Sequence, residues 1–224
     1  MLLFKIRKNM KKPYIIFDFD GTIANTNNII IASWQSTFKR FLGHELPVRE
    51  IEATFGETLY DSVDRLIPGE PVDEVVAHYR NYQDTHQEEY RVYVFEGVRE
   101  LMDELKARGH KLGVATSRTV KSFSKYMREL DMEGYIDEIV TMEDVTNHKP
   151  HPESVEKVLE KFGASPGEAI MIGDTKYDIG CANNAGVDSV LVGWSHYVDE
   201  EAMAADGFEP THRIRRPDQL LGLV

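Results

Sequence analysis

The 224-residue sequence contains one cysteine, Cys181, so no disulfide forms within the chain and a reducing compartment is its natural setting. No run approaches the roughly 18 apolar residues of a membrane-spanning helix, so no membrane partner is expected. Positive charge is scarce: 26 lysines and arginines face 38 aspartates and glutamates, for a formal net charge of −12. That balance excludes a broad basic face, and no nucleic-acid partner is expected. Residues 1–12 are a local exception, where Leu2, Leu3, Phe4 and Ile6 mix with Lys5, Arg7, Lys8, Lys11 and Lys12. Their apolar run is shorter than the roughly 7–15 residues of a signal-peptide core, and no small-residue cleavage site follows. They read as a frayed basic leader, and a cytoplasmic monomer or homodimer is expected.

What is present is enough to bury a core: 42% of residues are apolar and 29% charged. The length suits one ordinary domain plus a smaller inserted module. Tyr14–Phe17 is a short run rich in β-formers that reads as a strand buried on both faces. From Gly97 a regular beat begins. Val98, Leu101, Met102 and Leu105 keep helical spacing up to Gly109, and Leu112–Ala115 is then a strand. A helix over 123–130 and a strand over 136–141 follow. Pro152 opens a helix that Gly163 closes, and 169–172 is a strand. A helix over 179–185 and a strand over 189–192 complete the pattern. Helices alternating with buried strands predict an α/β fold with a Rossmann-like parallel sheet. The stretch between Thr22 and Phe95 breaks the beat. Ile30, Trp34, Phe38 and Phe41 keep helical spacing, and a second helical stretch follows Pro71. The expected division is a core of residues 13–22 and 96–224 with a small α-helical cap, 23–95, inserted after the first strand. No repeat or low-complexity segment is present.

Four polar clusters each sit just past a predicted strand end, where open α/β sheets bind ligands. In Asp18-Phe19-Asp20-Gly21-Thr22, residues two apart on an extended chain point the same way, so both carboxylates face one side. Close carboxylates repel, which calls for a hard cation such as Mg²⁺ or a shared proton. Gly21 permits a tight turn and close approach to a ligand. Thr116-Ser117 offers hydroxyls and backbone N–H groups to phosphate oxygens. Lys149, in a loop stiffened by Pro150 and Pro152, can neutralise both a phosphate and a carboxylate. Gly173-Asp174-Thr175-Lys176-Tyr177-Asp178 places two acids four apart at a strand-to-helix junction, one to ligate a metal and one to support it. Taken singly, each cluster also fits a solvated turn, a helix cap or an exposed lysine. His148 and His151 match no zinc spacing and read as loop residues.

Together and in this order the clusters resemble the haloacid dehalogenase-like hydrolase superfamily, from about Tyr14 to the C-terminus. Asp18-x-Asp20-Gly21-Thr22 resembles its first motif, Thr116 its second, Lys149 its third and Gly173-Asp174-x-x-x-Asp178 its fourth. Gly56 and Leu59 resemble the substrate-facing cap turn of the capped subgroup, and the pattern is most similar to the phosphoglycolate phosphatase-like and β-phosphoglucomutase-like branch. Two positions depart from that branch: Asn25 stands for an aspartate and Glu96 for a proline. The resemblance implies two-step phosphoryl transfer on a small phosphorylated metabolite. Asp18 would be the nucleophile and Asp20 the acid and base, with Thr116 and Lys149 stabilising the transferring group. Gly21, Thr116, Ser117 and Lys149 would contact the substrate. Mg²⁺ would be held by Asp18, the Asp20 backbone carbonyl and Asp174, with Asp178 acting through water.

Three rival readings stand beside this one. Dehalogenases of the fold lack the second aspartate, so Asp20 counts against that activity. A phosphomutase would keep the whole set and differ in how the cap excludes water. A non-catalytic protein could bind a phosphorylated ligand without turnover. Arg65, His78, Arg80 and His86 of the cap are of a type that can contact an anionic or polar leaving group, but they read first as a solvated helix face. Cys181 reads as a small apolar residue packed beneath the fourth cluster.

Overall fold

The apolar run Tyr14–Phe17 forms strand β1, whose last three residues are fully enclosed, and the rest of the chain is laid around it. The computed structural model describes residues 10–86, 88–195, 197 and 200–224, so residues 1–9 of the expected leader lie outside it. Lys12, assigned to that leader, belongs to the fold instead. Its buried ammonium donates to the Gly167 carbonyl at 2.9 Å and pairs with Asp188 at 2.9 Å.

After β1 the chain makes a two-residue strand, β2 (Ala24–Asn25), and then four helices: α1 (Asn27–Phe41), α2 (Val48–Glu52), α3 (Leu59–Leu66) and α4 (Val72–His86). A short strand β3 (Tyr93–Val94) pairs antiparallel with β2, so the helical segment leaves and rejoins at one neck. There follow α5 (Val98–Arg108), β4 (Lys111–Ala115), α6 (Val120–Glu129), β5 (Glu138–Val140), α7 (Glu153–Phe162), β6 (Ala169–Gly173), α8 (Lys176–Asn184), β7 (Asp188–Val192), α9 (Glu200–Ala205) and β8 (His212–Ile214). The predicted helix over 123–130 starts earlier, at Val120, because Thr119 caps it by accepting the Ser122 N–H. Helix α8 likewise starts at Lys176, capped by Thr175. Strands β2, β3 and β8 have only two or three residues, too few for a periodic signal.

Six strands form one parallel sheet in the order β5-β4-β1-β6-β7-β8. The sheet is the Rossmann-like α/β core that the alternating pattern predicts. Its faces follow from strand alternation. Ile15 and Phe17 point to one side, where Leu101 and Leu105 of α5 and Phe123 of α6 cover them. Ile16 and Met171 point to the other, against Val155 and Val158 of α7 and Cys181 of α8. The helices α1–α4 bury a separate cluster that includes Trp34, Phe38, Ile51, Val63 and Val75. Among the described residues no helix is long and apolar enough to cross a membrane.

One core position is set by space rather than by hydrophobicity. Gly113, in the middle of β4, lies where a Cβ would come within 2.7 Å of Val158 Cγ1 and 3.0 Å of Phe162. Helix α7 therefore packs directly on the β4 backbone. Gly113→Ala overpacks this contact and is expected to lower stability by about 1–3 kcal/mol. A urea denaturation midpoint equal to that of the parent chain would contradict it.

Candidate active site

Strands β4, β1 and β6 are neighbours at the centre of the parallel sheet, so the residues following them meet at one edge. The Asp18 N–H donates to the Ile172 carbonyl at 2.9 Å, continuing the pairing of β1 with β6 one residue beyond the strand. This fixes the Asp18 carboxylate beside the loop after β6. Gly21 turns back with φ +71°, and a Cβ there would lie 1.9 Å from Asp174 Oδ2. Only glycine allows the first and fourth clusters to approach this closely. Asp174 in turn accepts from Ser195 Oγ at 2.7 Å and Thr22 Oγ1 at 3.3 Å. Asp178 completes a capping box at the start of α8, its Oδ2 accepting the Thr175 N–H at 3.1 Å and the Thr175 hydroxyl at 2.7 Å.

Lys149 joins these groups. Its side chain is 2% exposed, and its ammonium donates to Asp18 Oδ1 at 2.8 Å and Asp178 Oδ1 at 2.7 Å. Asp18, Asp174 and Asp178 each bring a carboxylate oxygen within 4.8 Å of the others, and all three are buried. One ammonium cannot balance three carboxylates. Burial pushes the Asp18 carboxyl up to about 7, reinforced by Asp178 and Asp20 and opposed by Lys149. Burial, with Asp178 and Asp18, also holds Asp174 well above the usual carboxylate range. Burial disfavours the charged Lys149, but Asp178 and Asp18 outweigh it and raise its pKa. A buried, oxygen-only donor set with surplus negative charge fits a hard divalent cation.

Asp20 shares the cleft with Asp18 but has a cation of its own. Arg118 grips its carboxylate with a two-pronged fork, Nε at 2.7 Å from Oδ2 and Nη2 at 2.6 Å from Oδ1. Thr26 Oγ1 donates to the same carboxylate at 2.5 Å. The guanidinium is held over the Tyr126 ring, 4.6 Å from its centroid, and by Ser122 Oγ at 2.7 Å. The first cluster therefore does not present two equivalent carboxylates to one ion. Arg118 is absent from the sequence-level candidates, although it follows Thr116 and Ser117 directly after β4.

The other candidates are spread around this centre. Thr116 is buried, and its Oγ1 accepts the Arg118 N–H at 3.2 Å. Ser117 lines the cleft and donates to the Gly56 carbonyl at 2.8 Å. Gly56 and Leu59 face the same cleft from the helical segment, as do Trp34, Tyr79 and Arg80. The solvated-face reading of Arg80 is thus corrected, because α4 turns this residue inward. Arg65 instead pairs with Glu57, His78 bonds Ser36, and His86 stacks on Tyr82. Cys181 is buried, donates to the His151 carbonyl at 3.1 Å and belongs to the core beneath α8. His148 and His151 remain in the loop before α7.

The raised Asp18 pKa has a consequence for the metal-free chain. The folded protein keeps this proton up to about pH 7, whereas the unfolded chain loses it near 3.8. Between those values the folded state binds more protons, so the Asp18 contribution to stability falls as pH rises. Asp18→Asn removes it. With EDTA present, the Tm advantage of this variant is expected to widen from pH 5 to pH 8; a constant difference would refute the assignment.

Comparison with known proteins is consistent with this constellation. The model of the haloacid dehalogenase-like hydrolase family matches residues 15–192. Pyrophosphatase PpaX of Halalkalibacterium halodurans is 34% identical over 210 residues, covering 94% of this chain and 95% of that protein. Among solved structures, a haloacid dehalogenase-like protein of Bacteroides fragilis superposes with a TM-score of 0.83 at 25% identity, over 94% of this chain and 100% of that one. β-Phosphoglucomutase from Clostridium difficile shares the fold, with a TM-score of 0.79 at 21% identity over 93% of each chain. With both the family match and the PpaX similarity running through most of its length, the chain belongs to the haloacid dehalogenase-like hydrolase family.

Proposed function

We propose that this hydrolase releases phosphate from small phosphate monoesters with Mg²⁺, through an aspartyl-phosphate on Asp18. The observation that carries this reading is the buried Lys149 ammonium shared between Asp18 and Asp178, with Asp174 alongside. A lysine in that position orients the Asp18 carboxylate and offsets its charge as an anionic substrate approaches.

In the first step an Asp18 oxygen attacks phosphorus, forming one P–O bond as the bond to the leaving oxygen breaks. Asp20 gives its proton to that leaving oxygen. In the second step Asp20 takes a proton from a water that attacks the aspartyl-phosphate, which frees inorganic phosphate and restores the Asp18 carboxylate. Arg118 and Thr26 fix the direction from which Asp20 acts. The Thr116 hydroxyl accepts from Arg118 and retains its own proton to donate to a phosphoryl oxygen. Asp18, Asp174 and the Asp20 backbone carbonyl would hold Mg²⁺, with Asp178 supporting through water. When bound, the cation supplies positive charge to the phosphoryl oxygens. The cleft roofed by the helical cap, residues 23–95, suits a small phosphorylated metabolite.

Phosphate release measured over a panel of esters and anhydrides, with inorganic pyrophosphate and phosphoglycolate included, tests this reading. Asp18→Asn is expected to lower turnover by at least about 10³-fold while leaving the circular dichroism spectrum unchanged. Chelation should stop the parent enzyme, and added Mg²⁺ should restore it. Wild-type turnover in Asp18→Asn, or full turnover in EDTA, would overturn it.

A further inference from the structure

The loop after β7 brings to the site a contact that none of the four sequence clusters contains. β7 pairs with β6, so the residues that follow the two strands meet at the same sheet edge. Gly193 extends the pairing of β7 with β8, donating its N–H to the Ile214 carbonyl at 2.8 Å. A Cβ at Gly193 would come within 3.3 Å of that oxygen. The next two residues therefore leave the sheet on a fixed course towards β6. Trp194 Nε1 donates to the Thr22 carbonyl at 3.1 Å, and Ser195 Oγ donates to Asp174 Oδ2 at 2.7 Å.

These contacts close a ring around one carboxylate. Thr22, whose carbonyl Trp194 holds, gives its own hydroxyl to Asp174 Oδ1 at 3.3 Å. Asp174 and Ser195 are both buried, 2% and 6% exposed. The last torsion of an aspartate is broad, so rotamer preference does not fix the plane of its carboxylate. Donors must fix it. The Ser195 contact has the length of a strong hydroxyl-to-carboxylate bond, whereas the Thr22 contact is long. Each carboxylate oxygen accepts at two positions, so both donors leave room for a cation.

We propose that Ser195 is a positioning residue for the cation site: its hydroxyl sets the plane in which Asp174 offers its oxygens, and so favours a cation that demands regular geometry. The proposal rests on the cation of the phosphatase reading and on Asp174 as one of its ligands. Mg²⁺ requires near-octahedral oxygens at about 2.0–2.1 Å, whereas Ca²⁺ accepts irregular sets at about 2.3–2.6 Å. An Asp174 free to turn keeps its charge and loses its direction. Such a site holds Ca²⁺ still and Mg²⁺ poorly.

The rise of Tm with the concentration of Mg²⁺ or Ca²⁺, measured on the metal-free full chain at fixed ionic strength, gives both affinities without turnover. Ser195→Ala is expected to weaken Mg²⁺ roughly 10- to 100-fold. Its effect on Ca²⁺ should stay below about threefold. Ser195→Thr keeps the hydroxyl and should recover part of the Mg²⁺ affinity. Ser195→Cys, similar in size but a weak donor, should behave as Ser195→Ala does, and it carries the test if the alanine chain does not fold. Trp194→Phe breaks a bond of the same loop to Thr22 rather than to Asp174, and it should cost less Mg²⁺ affinity than Ser195→Ala. With a parent chain that binds Mg²⁺, three results would each overturn the proposal alone: equal weakening of both cations, no weakening, or as large a loss in Trp194→Phe. A chain that shows the expected dependence on Ser195 yet releases no phosphate would overturn the phosphatase reading and leave the proposal standing. A parent chain that binds neither cation would overturn both.

Discussion

Three buried carboxylates around one ammonium is the constraint to which much of the structure answers. Asp18, Asp174 and Asp178 crowd to within 4.8 Å at the edge of the central strands, and among the described residues Lys149 is the one cation placed between them. Such a group opposes folding unless each oxygen is held. The surroundings are organised to hold them. Thr175 N–H and Oγ1 take one oxygen of Asp178, Ser195 and Thr22 take Asp174, and the backbone of β6 positions Asp18. Gly21 contributes by having no side chain, since any Cβ would displace Asp174. The surplus negative charge is concentrated at one sheet edge, where a bound cation would offset it.

Asp20 stands apart from this cluster, and the separation has a chemical meaning. Equivalent carboxylates two residues apart would compete for one cation. Here Asp18 faces Lys149, and Asp20 faces Arg118 and Thr26. Distinct environments for paired carboxylates are what allow one to act as a nucleophile and the other to handle protons. The Arg118 guanidinium lies over Phe19 and Tyr126, with ring centroids 5.6 Å and 4.6 Å away, so the residue between the two aspartates helps to fix the cation that distinguishes them.

The parts of this arrangement that were legible in the sequence are local ones. A buried run such as Tyr14–Phe17 ending in an aspartate, or Ala169–Ile172 ending in Gly173-Asp174, announces a strand and the polar group at its tip within a few residues. The parallel order follows from alternation, and the helical insertion follows from a change of period after Thr22. What was not legible depends on pairs distant along the chain. Arg118 meets Asp20 across 98 residues, and Ser195 meets Asp174 across 21 through a change of strand. A lone arginine after a strand carries no sign of which carboxylate it will meet. Arg80 shows the same limit differently: helical spacing assigns it to a polar face, but only the packing of α4 against α1 shows that this face lines the cleft.

The helical segment and the sheet bury separate clusters, yet they are coupled at the residue that orients Asp178. Gly56, with φ +93°, brings its turn so close to the start of α8 that a Cβ would lie 2.6 Å from Thr175 Oγ1. That hydroxyl is the one donated to Asp178. The same turn is tied down on both sides, by Ser117 Oγ on the Gly56 carbonyl at 2.8 Å and by Tyr177 donating to Glu57 at 2.6 Å. A side chain at position 56 would press on Thr175, shift Asp178 and loosen Lys149, which holds Asp18. The turn that roofs the cleft and the carboxylates beneath it are therefore linked through Thr175, so the shape of the roof and the placement of Asp18 cannot vary independently.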